Sequence, residues 1–327
     1  MSFATLGVTA LALLTVIASL VLGNRGIPLG EVVAALFTDV DSDDATVITS
    51  QRLPRTMLGV AVGLALGMAG ALMQGHTRNP LADPGLFGVN AGASFAVALL
   101  VFALGVTEPT AIVAASLIGA GAVSGLVFLI GLGSMRGGAL VMLAILGTTM
   151  AALLTSLTTA LILLDKNTLN VLRFWEVGAL SNRDFALLPY VLPIMAIGSA
   201  LALANGFSLN VLGLGEEVAK SLGTDVRRAR IVGIVAVTLL CGPATAICGP
   251  LVFIGLVAPH VARVVSGHDY RWLVPLSGLV GVAVLLAADT VGRVSARPGE
   301  LQAGIVVAVL GAPLLLAITR RRRLVSL

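Results

Sequence analysis

The sequence predicts an all-α polytopic membrane protein with about ten transmembrane helices. Three observations carry that reading. Of 327 residues, 57% are hydrophobic and only 11% are charged, whereas a soluble domain carries roughly a quarter charged residues. So few charges cannot cover a water-facing surface of this size, and lipid must be the main solvent. The apolar residues fall into runs near the ~20 residues a helix needs to cross the hydrocarbon. Finally, basic residues are sorted to one side of those runs.

The runs are 3–22, 56–73, 89–106, 110–131, 139–163, 186–204, 229–248, 250–266, 272–291 and 301–319. No basic segment precedes the first and no A-x-A site follows it, so it is expected to be a membrane helix rather than a cleaved signal. The stretches 89–131 and 229–266 are nearly continuous and divide at Glu108-Pro109 and Gly249-Pro250. Merging them would leave eight or nine spans. The second span carries Gly59, Gly63 and Gly67, a small-residue stripe that lets backbones approach closely. Packing within one subunit is the plain expectation, and a subunit interface or pore lining the alternative. Nothing between the runs is long enough for a soluble domain, so 1–327 is read as a single transmembrane domain.

An even number of spans puts both termini on one side. Arg320 to Arg323 place that side in the cytoplasm, because cytoplasmic loops collect Lys and Arg. The inner loops then hold 12 of the 20 basic residues against 5 acids, net +7. The outer loops hold the other 8 bases and 11 acids, net −3. In this orientation R-L-P-R, with Arg52 and Arg55, lies on the outer face against the prevailing bias. Near the outer end of the ninth span, Asp289 and Arg293 stand four apart, a helical spacing that permits an ion pair.

Other chemistries lack their residues. Cys241 and Cys248 have no metal spacing, and His76, His260 and His268 stand without paired carboxylates or a serine elbow. No catalytic residue and no metal site is predicted. The basic residues are spread over loops, which argues orientation rather than nucleic acid. The run G-E-E-V-A-K-S has Ala219 where a phosphate loop needs glycine, so this chain is expected to bind no nucleotide. Spans nearly free of carboxylates argue against an ion-coupled secondary transporter. That class and a membrane scaffold remain the rivals from other classes.

Two polar stretches look functional. Residues 76–95 contain N-P-L-A-D-P-G, through which a helix cannot run smoothly. Irregular backbone at membrane depth is tolerated only against protein or water. A broken helix at a pathway is one reading, with Asn79, Pro80 and Asn90 as candidates, and a plain cytoplasmic loop is the other. The inner stretch 206–228 holds E-E-V-A-K-S-L between Gly215 and Gly223, a short helix placed to meet a cytoplasmic partner.

R-L-P-R-T, G-A-L-M-Q, R-N-P-L-A-D-P-G-L-F-G-V-N-A-G-A, G-P-L-V-F-I-G-L-V-A-P-H-V-A-R, A-D-T-V-G-R and G-A-P together resemble the permease subunits of type II ABC importers for vitamin B12, haem and ferric siderophores. L-R-F-W-E-V-G-A-L (172–180) is most similar to the ferric-enterobactin type. The resemblance spans nearly the whole chain. It implies the B12/siderophore ABC permease fold over residues 1–327 and a bacterial inner-membrane location. It also implies a second permease subunit (identical or paralogous), two cytoplasmic ATPases that carry the ATP-Mg, and an extracytoplasmic binding protein. The cargo it implies is an iron chelate, catecholate type, with haem or B12 as alternatives. By motif, Arg52, Arg55 and Arg293 are expected to dock the binding protein. Leu214, Gly215, Glu216, Glu217, Ala219, Leu222 and Gly223 are expected to form the ATPase coupling loop. Ser134, Met135 and Arg136 would lie near the cytoplasmic gate. One departure is Gln302-Ala303, where many members have Pro-Val.

Overall fold

The computed structural model describes residues 2–38, 42–133, 139–181, 183 and 185–320. Among these the regular structure is helical. Seven helices are long and apolar enough to cross a membrane, and three shorter apolar helices accompany them, which accounts for all ten expected spans.

The spans are α1 (Ser2–Val21), α4 (Leu53–Thr77), α5 (Val89–Leu104), α6 (Pro109–Gly133), α7 (Ala139–Leu164), α9 (Leu188–Gly213), α11 (Val226–Cys248), α12 (Ile254–Ser266), α13 (Tyr270–Ser295) and α14 (Ala303–Arg320). Short helices fill the connections: α2 (Leu29–Phe37), α3 (Asp43–Val47), α8 (Lys166–Trp175) and α10 (Glu216–Ser221). Helix α3 continues through a π turn at Ile48–Arg52 into α4, so R-L-P-R sits inside a helical run rather than at its mouth. Pro54 is tolerated there because the π turn precedes it and it falls in the first turn of α4.

The glycine stripe explains the centre of the bundle. A methyl group on Gly63 would stand 2.6 Å from the Val282 Cα, and one on Gly67 would meet the Ser277 carbonyl. Gly281 faces Gly63 from the other side. Helices α4 and α13 therefore touch backbone to backbone, and both are largely buried. The stripe packs helices within the chain, as its spacing suggests. Helix α7 is the contrast, with 17% of its apolar window buried.

Two spans are short for physical reasons. Pro250 and the left-handed Phe253 (φ 68°) delay α12 to Ile254, so it begins four residues later than the apolar run. Its 13 residues reach only ~20 Å, less than the hydrocarbon thickness. Helix α5 starts after Gly88 at φ 71°, following the break forced by Pro80 and Pro84. The expected 206–228 loop is corrected. Gly206 to Gly213 continue α9, because F-S-L-N-V-L keeps helical periodicity and Leu209 and Leu212 pack into the core. The irregular stretch starts at Leu214.

Candidate functional site

Arg52, Arg55 and Arg293 meet where α1 ends, α4 begins and α13 ends. Arg52 lies on the π turn, and its guanidinium Nη1 donates to Leu20 O at 2.7 Å and Val21 O at 2.8 Å, with Arg25 O as a further acceptor. These include last-turn carbonyls of α1, which have no helical donors of their own and carry the negative end of the helix dipole. Arg55 holds Asp289 through Nη2 at 2.8 Å and Nε at 3.0 Å, and holds Glu300 through Nη1 at 2.9 Å. Arg293 completes the cluster. Its Nε lies 3.2 Å from Asp289 Oδ2, and its two Nη groups reach the Ser19 carbonyl and hydroxyl. The i, i+4 pairing of Asp289 and Arg293 is thus present, and Asp289 is shared with Arg55.

In the single chain Arg52 and Arg293, both expected to dock a binding protein, are buried. They are 6% and 3% exposed, and their donors are spent on helix ends and on Ser19. The side chain of Arg55 is 12% exposed and already carries two carboxylates. Among the described residues the cluster binds three helices together.

The opposite ends of α4, α9 and α11 carry α10. Gly215 (φ 113°) and Gly223 (φ 80°) bracket it in conformations that L side chains avoid. Glu216 pairs with Arg230 on α11, and Ala219 is fully buried beneath the helix. Glu217 faces solvent. Leu214, Val218 and Leu222, four apart, are 64%, 44% and 62% exposed, an apolar row on the free face. Below α10, the Asn205 amide donates to Ala229 O at 3.0 Å and meets His76 Nε2 at 3.0 Å. Arg78 donates to Leu212 O at 2.6 Å, so α4, α9 and α11 are tied directly under the short helix. Sequence reasoning missed Arg230, Asn205 and Val218. Only the spacing of Leu214, Val218 and Leu222 could have signalled the row.

The broken segment forms a third feature. Asp83 accepts from Gly85 N at 2.8 Å and caps the 3-10 turn Pro84–Phe87. Asn90, at the start of α5, accepts from Thr245 Oγ1 at 2.9 Å. A cavity of about 340 Å³ is lined by Asp83, Asn90, Ser94, Thr155, Thr159 and Glu176, among others. Burial raises both Asp83 and Glu176 above the usual carboxylate range, partly offset by hydrogen bonds from Gly85 and Ser94. Of the expected pathway residues among those described, the cavity gathers Asn90 only. Asn79 is exposed and Pro80 half-buried in the preceding turn, where the Asn79 carboxamide accepts from Leu81 N. Ser134, Met135 and Arg136 lie outside the described residues. Among the described residues, no cluster of three or more His, Cys, Asp or Glu could hold a metal ion.

Residues 11–321 match the FecCD transport family. The chain belongs to that family. It is 44% identical over 322 residues to the ferric enterobactin transport system permease protein FepD of Escherichia coli (strain K12), covering 97% of this chain and 96% of that one. The hemin transport system permease protein HmuU of Yersinia pestis is 35% identical, covering 83% of this chain and 82% of that protein. Among solved structures, a metal-chelate type ABC transporter in an inward-facing conformation superposes with a TM-score of 0.87 at 27% identity, over 98% of this chain and 100% of that chain. This FecCD-family chain is therefore a multi-pass membrane permease with the ABC permease fold.

Proposed function

We propose that the chain is the transmembrane subunit of an ATP-binding-cassette importer, moving a ferric siderophore, catecholate type, into a bacterial cytoplasm. The observation that carries this is the 44% identity to a ferric enterobactin permease across nearly the full length of both chains. The FWEVGAL segment fits the same reading. A chelate arrives with its iron already coordinated, so the pathway needs shape and polarity rather than metal ligands.

In this reading the chain acts with a second permease subunit, two cytoplasmic ATPases and an extracytoplasmic binding protein. ATP and Mg sit on the ATPases, so the permease is a transport subunit and not an enzyme. Both termini are cytoplasmic, which puts α10 on the cytoplasmic side and the Arg52 end outside. The exposed Leu214, Val218 and Leu222 row, flanked by Glu217 and Lys220, suits insertion into a cleft on an ATPase. Closing the ATPases would pull α10. Glu216 and the Asn205 ties would pass that displacement to α11, α9 and α4. The cavity beside Asn90 lies at the break between α4 and α5.

Reconstitution tests the reading. The permease is placed in liposomes with its ATPase and binding protein, and entry of a radioiron catecholate chelate is followed. Uptake should require ATP and the binding protein. Uptake driven by a proton gradient with the ATPase omitted would overturn it.

A further inference from the structure

The short helix α2 sits at the Arg52 end of the bundle, between the spans α1 and α4. The apolar run of α1 ends at Leu22, and Asn24, Arg25 and Gly26 follow, all exposed. The chain then turns back. Ile27 N donates to Val21 O at 3.2 Å, and Val21 closes the apolar window Ala4–Val21 that is long enough to cross a membrane. Helix α2 therefore starts level with the last turn of a span. Three arginines pin the turn in between. Arg52 donates to Leu20 O, Val21 O and Arg25 O, and Arg297 Nη2 donates to Gly23 O at 2.6 Å. Arg25 pairs with Asp44 of α3 at 3.3 Å. The height of α2 against the bundle is thus fixed by the protein itself.

The surface of α2 divides into three faces. Val32 lies on the first and is buried with Ile27 and Ile48 in a small apolar cluster, against which Leu20 and Val21 of α1 pack. The second carries Leu29, Val33 and Phe37, each four apart and 54%, 49% and 82% exposed. The third carries Glu31, which is exposed and stands ~160° around the helix from Val33. Glu31 is the one ionisable residue among the nine of α2, whereas α10 has Glu216, Glu217 and Lys220 among six. The apolar row of α2 also has a continuation that the α10 row lacks. Leu11, Leu14 and Ile17 of α1 and Leu22 just beyond it are exposed, and only 22% of the α1 window is buried. That is the lipid-facing side of a span, and the α2 row extends it past the end of α1. Nine residues reach ~14 Å, less than half the hydrocarbon thickness, so α2 is too short to cross.

We propose that α2 is an interfacial helix, lying along the bilayer surface at the Arg52 end with Leu29, Val33 and Phe37 in lipid and Glu31 in water. An apolar face of this kind sinks ~5–10 Å into the boundary between headgroups and acyl chains. The occupant of the row is lipid, because the row continues the lipid-facing side of α1 at the depth of its last turn. The placement does not depend on which cargo is carried.

Site-directed spin labelling tests it. Leu29→Cys, Glu31→Cys, Val33→Cys and Phe37→Cys are made singly in a C241A/C248A background, which removes the two buried native thiols. Each nitroxide-labelled full-length permease is assembled with its partner subunits in nanodiscs of phosphatidylethanolamine and phosphatidylglycerol. Power saturation then compares collisions with oxygen, which concentrates in lipid, against collisions with a water-soluble nickel chelate. Leu14→Cys and Arg25→Cys supply the lipid and water references. The oxygen-to-nickel ratio at 29, 33 and 37 should approach that at 14 and exceed that at 31 several-fold. A ratio along the row equal to that at 25 puts the row in water and overturns the proposal. Labels shielded from both quenchers overturn it as well, by placing a second copy or a partner subunit on the row. Shielding that appears only on addition of the binding protein would assign the row to that protein instead. A second measurement needs no label. Phe37→Trp, with Trp272→Phe and with Trp175 buried, should be quenched by lipids brominated high on the acyl chain more than by lipids brominated near its end. Quenching by neither lipid overturns the interfacial placement.

Discussion

The two ends of the bundle use charge in opposite ways. At the Arg52 end, four ionised side chains, Arg55, Arg293, Asp289 and Glu300, form a cluster whose centre, Asp289, is fully buried. Every partner comes from a different turn or helix, so the cluster joins α4 and α13, and the Ser19 bonds add α1. At the Glu216 end, a single pair ties α10 to α11, and its carboxylate is 38% exposed. A buried network is costly to break and holds one geometry, whereas a half-exposed pair is worth little and can exchange partners. The fold is therefore braced at one end and left adjustable at the other, where the short helix meets solvent.

The largest test of that contrast is Asp289→Ala. It strands Arg55 and Arg293 in a buried site with only Glu300 against them, and removal of one member of a buried pair costs about 3–5 kcal/mol. Thermal unfolding in detergent should show a drop of that order. If Asp289→Ala unfolds like wild type, the cluster is not a brace. Gly63→Val comes next. The added atoms meet the Val282 backbone, which cannot yield as a flexible side chain can. About 1–3 kcal/mol of overpacking is expected, with α4 and α13 forced apart. Gly121, with open space around it, provides the control: Gly121→Val should cost far less in the same assay.

How far the sequence showed these features depends on the range over which each is determined. Span existence followed from hydropathy, which is local, and α4, α5 and α11 sit within a few residues of where their apolar runs end. The pairing of Asp289 with Arg293 was legible because four residues is one helical turn. The partner of Arg55 was not, since Glu300 is 245 residues away and only packing brings it close. Charge counting assigned R-L-P-R to the outer face, and it gave no sign that Arg52 lies within a continuous helix and caps α1. Charge totals report which side of a membrane a residue prefers and carry no information on what its side chain touches. The amphipathic α8 was missed because ten residues fall below the length of a span.

The Glu216–Arg230 pair gives the next prediction, smaller in stability but decisive for coupling. Glu216→Arg alone should lower the melting temperature less than Asp289→Ala does, because the Glu216 carboxylate is 38% exposed whereas Asp289 is fully buried. It should nonetheless reduce ATP-driven uptake while hydrolysis continues, since α10 loses its tie to α11. The exchanged pair, Glu216→Arg with Arg230→Glu, restores opposite charges and should recover part of the uptake. No recovery in the exchanged protein would mean that the side chains matter singly and that the tie does not transmit motion.

The smallest effect concerns Asp269, in the turn between α12 and α13. Hydrogen bonds from the Arg271 side chain, then from Asn210, hold its carboxylate at about 2, below the usual range. The Asn210 amide reaches it at 2.6 Å, and through it α9 is joined to the start of α13. A folded value below the unfolded value means that the charged form is favoured by folding. The contribution is therefore fully present above the unfolded carboxylate value of about 3.9 and is lost as pH falls from there through about 2. Asp269 is largely solvated, so screening keeps the contribution small. Wild-type protein should lose a little stability between about pH 4 and pH 2 that Asp269→Asn does not lose, because the amide cannot titrate. Stability curves for the two proteins that run parallel through that window would show that the Asn210 and Arg271 bonds contribute nothing to holding α9 against α13.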